Sequence, residues 1–307
     1  MISTVYRAQV DLLIRVLPHV AKEKSFALKG GTAINLFVRD MPRLSVDIDL
    51  TYLAFDARDV ALREICDALR RIKDRLEKAI PGLTATVPSQ SGGQEAKLIC
   101  RSADATIKIE VNTAMRGCLW PVRKLEITSA AQHEFKKSAI VDIVSSGELY
   151  GGKICAALDR QHPRDLFDIH QLLTNEGITE EIRLGFLASL LSHPRPIHEV
   201  IRPHSQDQRN LFEKGFAGMA IAPFTYDDFE AARKQLVETI HARLTHDDRA
   251  FLTSFKNGEP NWALFPLKSL RDLPAVQWKL LNIQNLKQKD SAKHAAQLQA
   301  LEKALSA

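Results

Sequence analysis

Hydrophobic positions near the start of the chain recur every three to four residues. Leu12, Leu13, Val16, Leu17 and Val20 share one side of a helix, which predicts an amphipathic helix. The period then changes. SFAL (25–28) is short and apolar and ends at Lys29-Gly30-Gly31, the pattern of a strand closed by a glycine turn. Thr32 is placed to cap a second helix running through Leu36 and Phe37. VDIDLTYL (46–53) alternates strictly, with Val46, Ile48 and Leu50 on one face and Asp47 and Asp49 on the other, and predicts a strand.

Helical spacing returns over 57–80 and stops at Pro81-Gly82. AKLICRS and ATIKIEVN read as two strands joined by a polar turn at 102–104. LYGGKICAALDR reads as a helix, QHP interrupts it, and RDLFDIHQLL forms the next. From about Thr174 onward the pattern is helical, interrupted by the proline- and histidine-rich SHPRPIHEVIRPH. The expected organisation is an α/β layer over 1–145 followed by helices alone over 146–307.

The 307 residues, 45% of them hydrophobic, supply enough apolar material for about two domains. The net charge of +5 arises from many charges of both signs; it is compatible with a nucleic-acid partner without requiring one. Cys66, Cys100, Cys118 and Cys155 are scattered with no CxxC pair, so they read as reduced thiols rather than a disulfide frame or zinc site. The amino-terminal segment lacks the unbroken apolar core of a signal peptide, and no window reaches membrane-spanning length, which predicts a soluble, cytoplasmic protein. His193, His198 and His204 lack the spacing of a helical zinc motif and read as a surface loop. HPRD (162–165) echoes a kinase catalytic loop, but no Asp-Phe-Gly follows it, which excludes that fold.

The chemistry concentrates between residues 30 and 49. On a strand, Asp47 and Asp49 point the same way with Cα atoms roughly 6.5 Å apart. Two carboxylates that close repel unless a cation sits with them, and magnesium with its oxygen ligands answers that need where phosphates are also bound. Glu110 lies on an alternating strand of its own; if that strand lies beside the first, Glu110 supplies a third carboxylate to the metal. Upstream, Gly30 and Gly31 permit close backbone approach to a phosphate at a helix N-terminus, Thr32 adds a hydroxyl, and Ser45 adds another polar group. A phosphate cradle beside a two-carboxylate metal holder is a phosphoryl- or nucleotidyl-transfer constellation.

The pattern GGTA…RLSVDIDL resembles motif I of the nucleotidyltransferase superfamily, in the form found in the AbiEii/AbiGii toxin family of bacterial toxin–antitoxin and abortive-infection systems. ELYGGKICAALDRQHPRDLFDIHQLL is similar to that family's second signature, with Lys153, Asp159, Arg160, Arg164, Asp165 and Asp168 at the matching positions. The stretch 244–283, with its Gly-x-Pro-x-Trp and Leu-Pro-Ala-x-x-Trp-Lys landmarks, resembles the closing region.

The resemblance implies a polymerase-beta-type mixed sheet flanked by helices, followed by an α-helical domain contributing Lys153 and Asp168 to the site. It implies transfer of a nucleoside monophosphate from an NTP, with Mg2+, to an RNA acceptor such as the 3′ end of tRNA, and a cognate antitoxin encoded nearby. In that scheme Asp47, Asp49 and Glu110 bind the metal; Gly30, Gly31, Thr32 and Ser45 hold the nucleotide; Lys153, with Arg160 or Arg164, meets the triphosphate. Glu110 or Asp168 is the general base. Two alternatives stay open: transfer to a small molecule, as in aminoglycoside nucleotidyltransferases, and a non-catalytic nucleotide-binding module.

Overall fold

The computed structural model describes residues 3–88 and 96–306. The chain divides into two compact units, Met1–Ser145 with Phe216–Pro223, and Ser146–Gly215 with Phe224–Ala307.

The first unit opens with α1 (Thr4–Val20), which buries Leu12, Leu13, Val16, Leu17 and Val20 as its periodicity requires. β1 (Phe26–Lys29) runs into α2 (Gly30–Ala33), which continues as a π-turn over Ile34–Val38. Then follow β2 (Asp47–Tyr52), α3 (Arg58–Ala79), β3 (Thr84–Thr86), β4 (Lys97–Arg101), β5 (Thr106–Asn112), β6 (Arg123–Glu126), α4 (Ser129–Phe135) and β7 (Ile140–Ile143). Among the described residues the strands form one seven-stranded mixed sheet in the order β3-β4-β5-β2-β1-β7-β6. β2 lies antiparallel to β1 and parallel to β5. α1 packs against β5 and β7, and α3 against β3 and β4. Ile107, Ile109, Val111, Leu98 and Cys100 are accordingly buried, whereas the residues alternating with them are half-buried or exposed.

Three strands, β3, β6 and β7, are absent from the sequence reading. At three or four residues each, they are too short to establish a period. Their place in the sheet comes from pairing with neighbours already in position. Phe216–Pro223 returns to this unit as well: Arg43 bridges Ala220, and Leu44 N donates to Met219 O at 2.8 Å.

In the second unit α5 (Ser146–Arg160), α6 (Pro163–Asn175) and α7 (Glu180–Ser192) are followed by α8 (Ile197–Ile201) and α9 (Arg209–Gly215). α10 (Tyr226–Arg243), α11 (His246–Lys256), α12 (Pro274–Lys289) and α13 (Ser291–Ser306) complete it. Thr225 and Thr245 open α10 and α11 with capping boxes closed by Asp228 and Asp248, each satisfying donors that a bare helix end leaves orphaned. Trp262, half-buried, packs on Phe251 and Phe255, while Trp278 is 65% exposed. The proline- and histidine-rich stretch is more ordered than a surface loop. It contains α8, and His193 sits half-buried with its Nε2 3.5 Å from Asp159.

All four cysteines are free thiols, Cys100 and Cys155 buried and Cys66 and Cys118 partly so. Among the described residues, no helix is long and apolar enough to cross a membrane.

Candidate functional site

The glycine turn and the two aspartates form one piece of structure. Gly30 ends β1 with φ +73°, a left-handed conformation that costs a residue with a Cβ roughly 1–2 kcal/mol. Space adds a second requirement: a Cβ on Gly30 would lie 2.4 Å from Asp49 Oδ2. Gly31 is needed too, since its Cβ would lie 2.8 Å from Arg43 Nη2 and 2.9 Å from Ser45 Oγ. The paired glycines of the sequence thus mark where the Asp49 carboxylate and the Arg43 guanidinium approach the backbone of the turn.

Thr32 departs from its expected role. The helix begins at Gly30 with Lys29 as its cap residue, so Thr32 lies inside it, fully buried. Its hydroxyl donates to Asp47 O at 2.5 Å and lies 3.0 Å from Ser45 Oγ, and so tethers the turn to the start of β2. Ser45 is buried with it. Asn35 Nδ2 donates to Gly31 O at 2.9 Å, bracing the turn from the next helical turn along.

Strand register sets the surroundings of the carboxylates. Asp47 and Asp49 are both half-buried on one face of β2. β5 does lie beside β2, and Glu110 is the register partner of Asp49. Lys29 is the partner of Asp49 on the other side, and Lys97 that of Glu110. Partners in register share a face, so one row across the sheet reads Lys29, Asp49, Glu110, Lys97, two acids flanked by two bases. Glu110 forms an ion pair with Lys97 through Oε1 at 2.7 Å. Among the described residues, no three His, Cys, Asp or Glu side chains are clustered as a bound metal ion would need.

In the second unit, α5 and α6 assemble a buried charge cluster. Lys153 Nζ lies 2.8 Å from Asp165 Oδ1 and 3.1 Å from Asp168 Oδ2. The three side chains are 6%, 2% and 0% exposed. Seven residues after Lys153 on the same helix face, Arg160 donates to Asp165 through Nε at 2.5 Å and Nη2 at 3.1 Å. Burial alone pushes the Asp165 carboxyl up; Lys153 and Arg160 outweigh it and hold the group well below the usual carboxylate range. Arg160 is itself largely exposed. Arg164 is half-buried in the first turn of α6, where its backbone N–H donates to His162 Nδ1 at 3.1 Å. Asp159 lies off this cluster, tied to Arg195 at 2.6 Å.

The close seating of α5 on its neighbours is also written in glycines. A Cβ on Gly151 would meet the Gly185 carbonyl carbon at 2.2 Å, and one on Gly185 would meet Gly147 O at 2.0 Å. α5 and α7 therefore cross backbone against backbone, which fixes the helix that carries Lys153.

Arg43 is the residue the sequence reading missed. It is 2% exposed, donates from Nη1 to Leu44 O at 2.8 Å, and lies against Gly31. Its one signal is a lone arginine between apolar neighbours, Met-Pro-Arg-Leu, in a segment that otherwise reads as a loop.

Comparison with known proteins bears on this arrangement. A family model described as nucleotidyl transferase AbiEii toxin, type IV TA system, matches residues 11–282. No curated protein matches the chain. Among solved structures, MenT4, a nucleotidyltransferase toxin from Mycobacterium tuberculosis H37Rv, is similar in fold. Its TM-score is 0.63 at 14% sequence identity, over 91% of this chain and 93% of that one.

Proposed function

The chain belongs to the AbiEii family of nucleotidyltransferase toxins of type IV toxin–antitoxin systems, and from that premise we propose that it transfers a nucleoside monophosphate from an NTP to the 3′ end of tRNA. Membership makes it an enzyme with an NTP substrate and implies an antitoxin as its counterpart. The acceptor, the metal and the roles of individual residues are our reading.

The observation that carries it is the contact of Gly30 with Asp49. The Asp49 carboxylate occupies the space that any other residue at position 30 would fill, so phosphate cradle and acidic pair act as one unit. Asp47 and Asp49 offer hard oxygen donors on a half-exposed face, a set that suits magnesium better than a softer metal. Bound there, the ion would neutralise charge on the phosphates of the nucleotide. The backbone at Gly30 and Gly31 receives the triphosphate, and Thr32 and Ser45 hold the turn in shape from beneath. Arg43 supports the same turn from Gly31's side.

On this reading residues 1–145 form the nucleotidyltransferase layer, and 146–307 the helical domain that supplies Lys153 and Asp168. Lys153 provides positive charge to the triphosphate, with Asp165 and Asp168 fixing its ammonium in place. Arg160 or Arg164 assists. Proton removal from the acceptor hydroxyl falls to Glu110 or Asp168; in the structure Glu110 pairs with Lys97, and Asp168, fully buried, pairs with Lys153.

The deciding experiment incubates the protein with each α-labelled NTP, magnesium and total bacterial tRNA, beside Asp47→Asn, on a denaturing gel. Label on tRNA from the unaltered protein alone is the expected result. NTP binding without label on RNA would move the acceptor to another class of molecule.

A further inference from the structure

In the part of the sheet formed by β3, β4 and β5, one face is exposed or half-buried among the described residues. Burial along β5 alternates without exception: Thr106 and Lys108 are exposed and Glu110 and Asn112 half-buried, between fully buried Ile107, Ile109 and Val111. β4 and β3 continue the pattern, with Lys97 and Ile99 half-buried, and Arg101, Thr84 and Thr86 exposed. The opposite face is the one packed beneath α1 and α3.

What this face displays is not neutral. Lys108 is the register partner of Asp47, and Ile99 the partner of Lys108 on the far side. Arg101, two residues along β4 from Ile99, is then a diagonal neighbour of Lys108, with backbones about 7–8 Å apart. Lys97 is committed to Glu110. Lys108 and Arg101 form no salt bridge among the described residues. Stepping away from Asp47 across the sheet, the side chains met in register are Lys108, Ile99 and Thr86, with Thr106, Arg101 and Thr84 forming the next row. No aromatic side chain interrupts them, although an uncovered sheet face that reads bases does so through stacked aromatics.

We propose that this face is the track of the acceptor RNA strand: its end at Asp47 and Asp49, its preceding phosphates on Lys108 and then Arg101, with the threonine hydroxyls donating to the backbone. The assignment rests on the nucleotidyl-transfer reading above and adds to it the path of the acceptor. Charge complementarity selects a polyanion, and continuity with the β2 carboxylates selects the molecule whose end reacts there. Without aromatics the track reads phosphate and not base, so it tolerates any sequence at these positions.

The test is equilibrium binding of 5′-fluorescein-labelled total bacterial tRNA, followed by anisotropy between 50 and 300 mM salt. Lys108→Gln/Arg101→Gln is compared with the unaltered protein and with Lys234→Gln/Lys289→Gln, which removes the same charge from exposed positions elsewhere. Loss of two single-strand phosphate contacts lowers the slope of log K against log salt by about 1.4, and weakens binding about 25-fold at 0.1 M salt. The KM for RNA rises with it and the KM for the NTP does not follow. An unchanged slope in the Lys108/Arg101 variant, or an equal loss in the control variant, overturns the track. Protein that binds NTP with magnesium but no RNA also overturns it and leaves the nucleotide site standing. RNA binding that depends on Lys108 and Arg101 without any NTP binding leaves an RNA-binding face but overturns its role as the track of an acceptor, together with the nucleotidyl-transfer reading.

Discussion

Adjacent glycines on α5, Gly151 and Gly152, give opposite predictions for the same substitution, and Gly185 on α7 sides with the first. Gly185→Ala places a methyl group 2.0 Å from Gly147 O and 2.3 Å from Gly147 C, where about 3.4 Å is the closest comfortable approach. Both obstacles are backbone, so no side chain can turn aside; α5 and α7 have to separate by more than 1 Å. Overpacking of this kind costs up to about 3 kcal/mol, against which alanine returns about 1 kcal/mol of helix propensity. Because the parted helices also lose packing along their length, the expected net destabilisation is about 2–4 kcal/mol. Gly151→Ala, at 2.2 Å from Gly185 C, behaves alike. Gly152→Ala is the internal control. Its nearest neighbour would be Ser189 Oγ at 3.9 Å, so only the propensity gain operates, and the variant is stabilised by about 0.5–1 kcal/mol. Urea denaturation with hydrogen exchange on peptides from α5 and α7 assigns each change to this helix pair. A Gly185→Ala protein within 0.5 kcal/mol of the parent, or a Gly152→Ala protein as damaged as Gly151→Ala, would refute the backbone-contact argument.

Three further outcomes follow from the geometry. Gly30→Ala combines a disfavoured left-handed backbone with displacement of Asp49; stability falls by about 1–2 kcal/mol, while NTP-dependent transfer falls at least 100-fold, far beyond what lost folding explains. For the Lys153–Asp165–Asp168 cluster, the folded value of Asp165 is depressed below the ordinary 3.8. Its contribution is therefore fully present above about pH 4 and is lost as pH falls toward the folded value; Asp165→Asn costs about 3–5 kcal/mol near pH 7, and in a pH series of thermal melts its disadvantage shrinks in acid. Lys279 Nζ donates to Leu190 O, His193 O and Arg195 O at 3.2, 2.6 and 2.8 Å, closing the end of α7; Lys279→Met leaves those carbonyls without that donor and lowers stability by about 2–3 kcal/mol, read as a shift in melting temperature.

Much of the candidate site was legible because its chemistry is local. Asp47 and Asp49 are two residues apart on an alternating strand, so their shared face follows from strand geometry alone. The same holds for Lys153 and Arg160 on one helix face. Residues whose role depends on distant partners were read less well. Thr32 has the look of a cap, but its hydroxyl is taken by the carbonyl of Asp47, fifteen residues on. Arg43 looks like a loop residue, but Gly31 and the returning segment 216–223 surround it.

The sequence by itself determined α1, β1, β2, α3, β4, β5, α5 and α6, where a hydrophobic period or a turn signal is plain, and left α4 and α8 unread. It also determined the carboxylate pair, the glycine turn that serves it and, through the motifs those residues make, the family. Only the tertiary structure decided which strand lies beside which. That step pairs Glu110 with Lys97, seats Lys108 against Asp47, and draws β3, β6 and β7 into the sheet. It also explains the glycines at 147, 151 and 185, which are separate letters in the chain and one contact in the fold. The physical reason is that periodicity and turn chemistry act over a few residues, whereas register, helix crossing and ion pairing are settled by surfaces that meet only after the chain has folded.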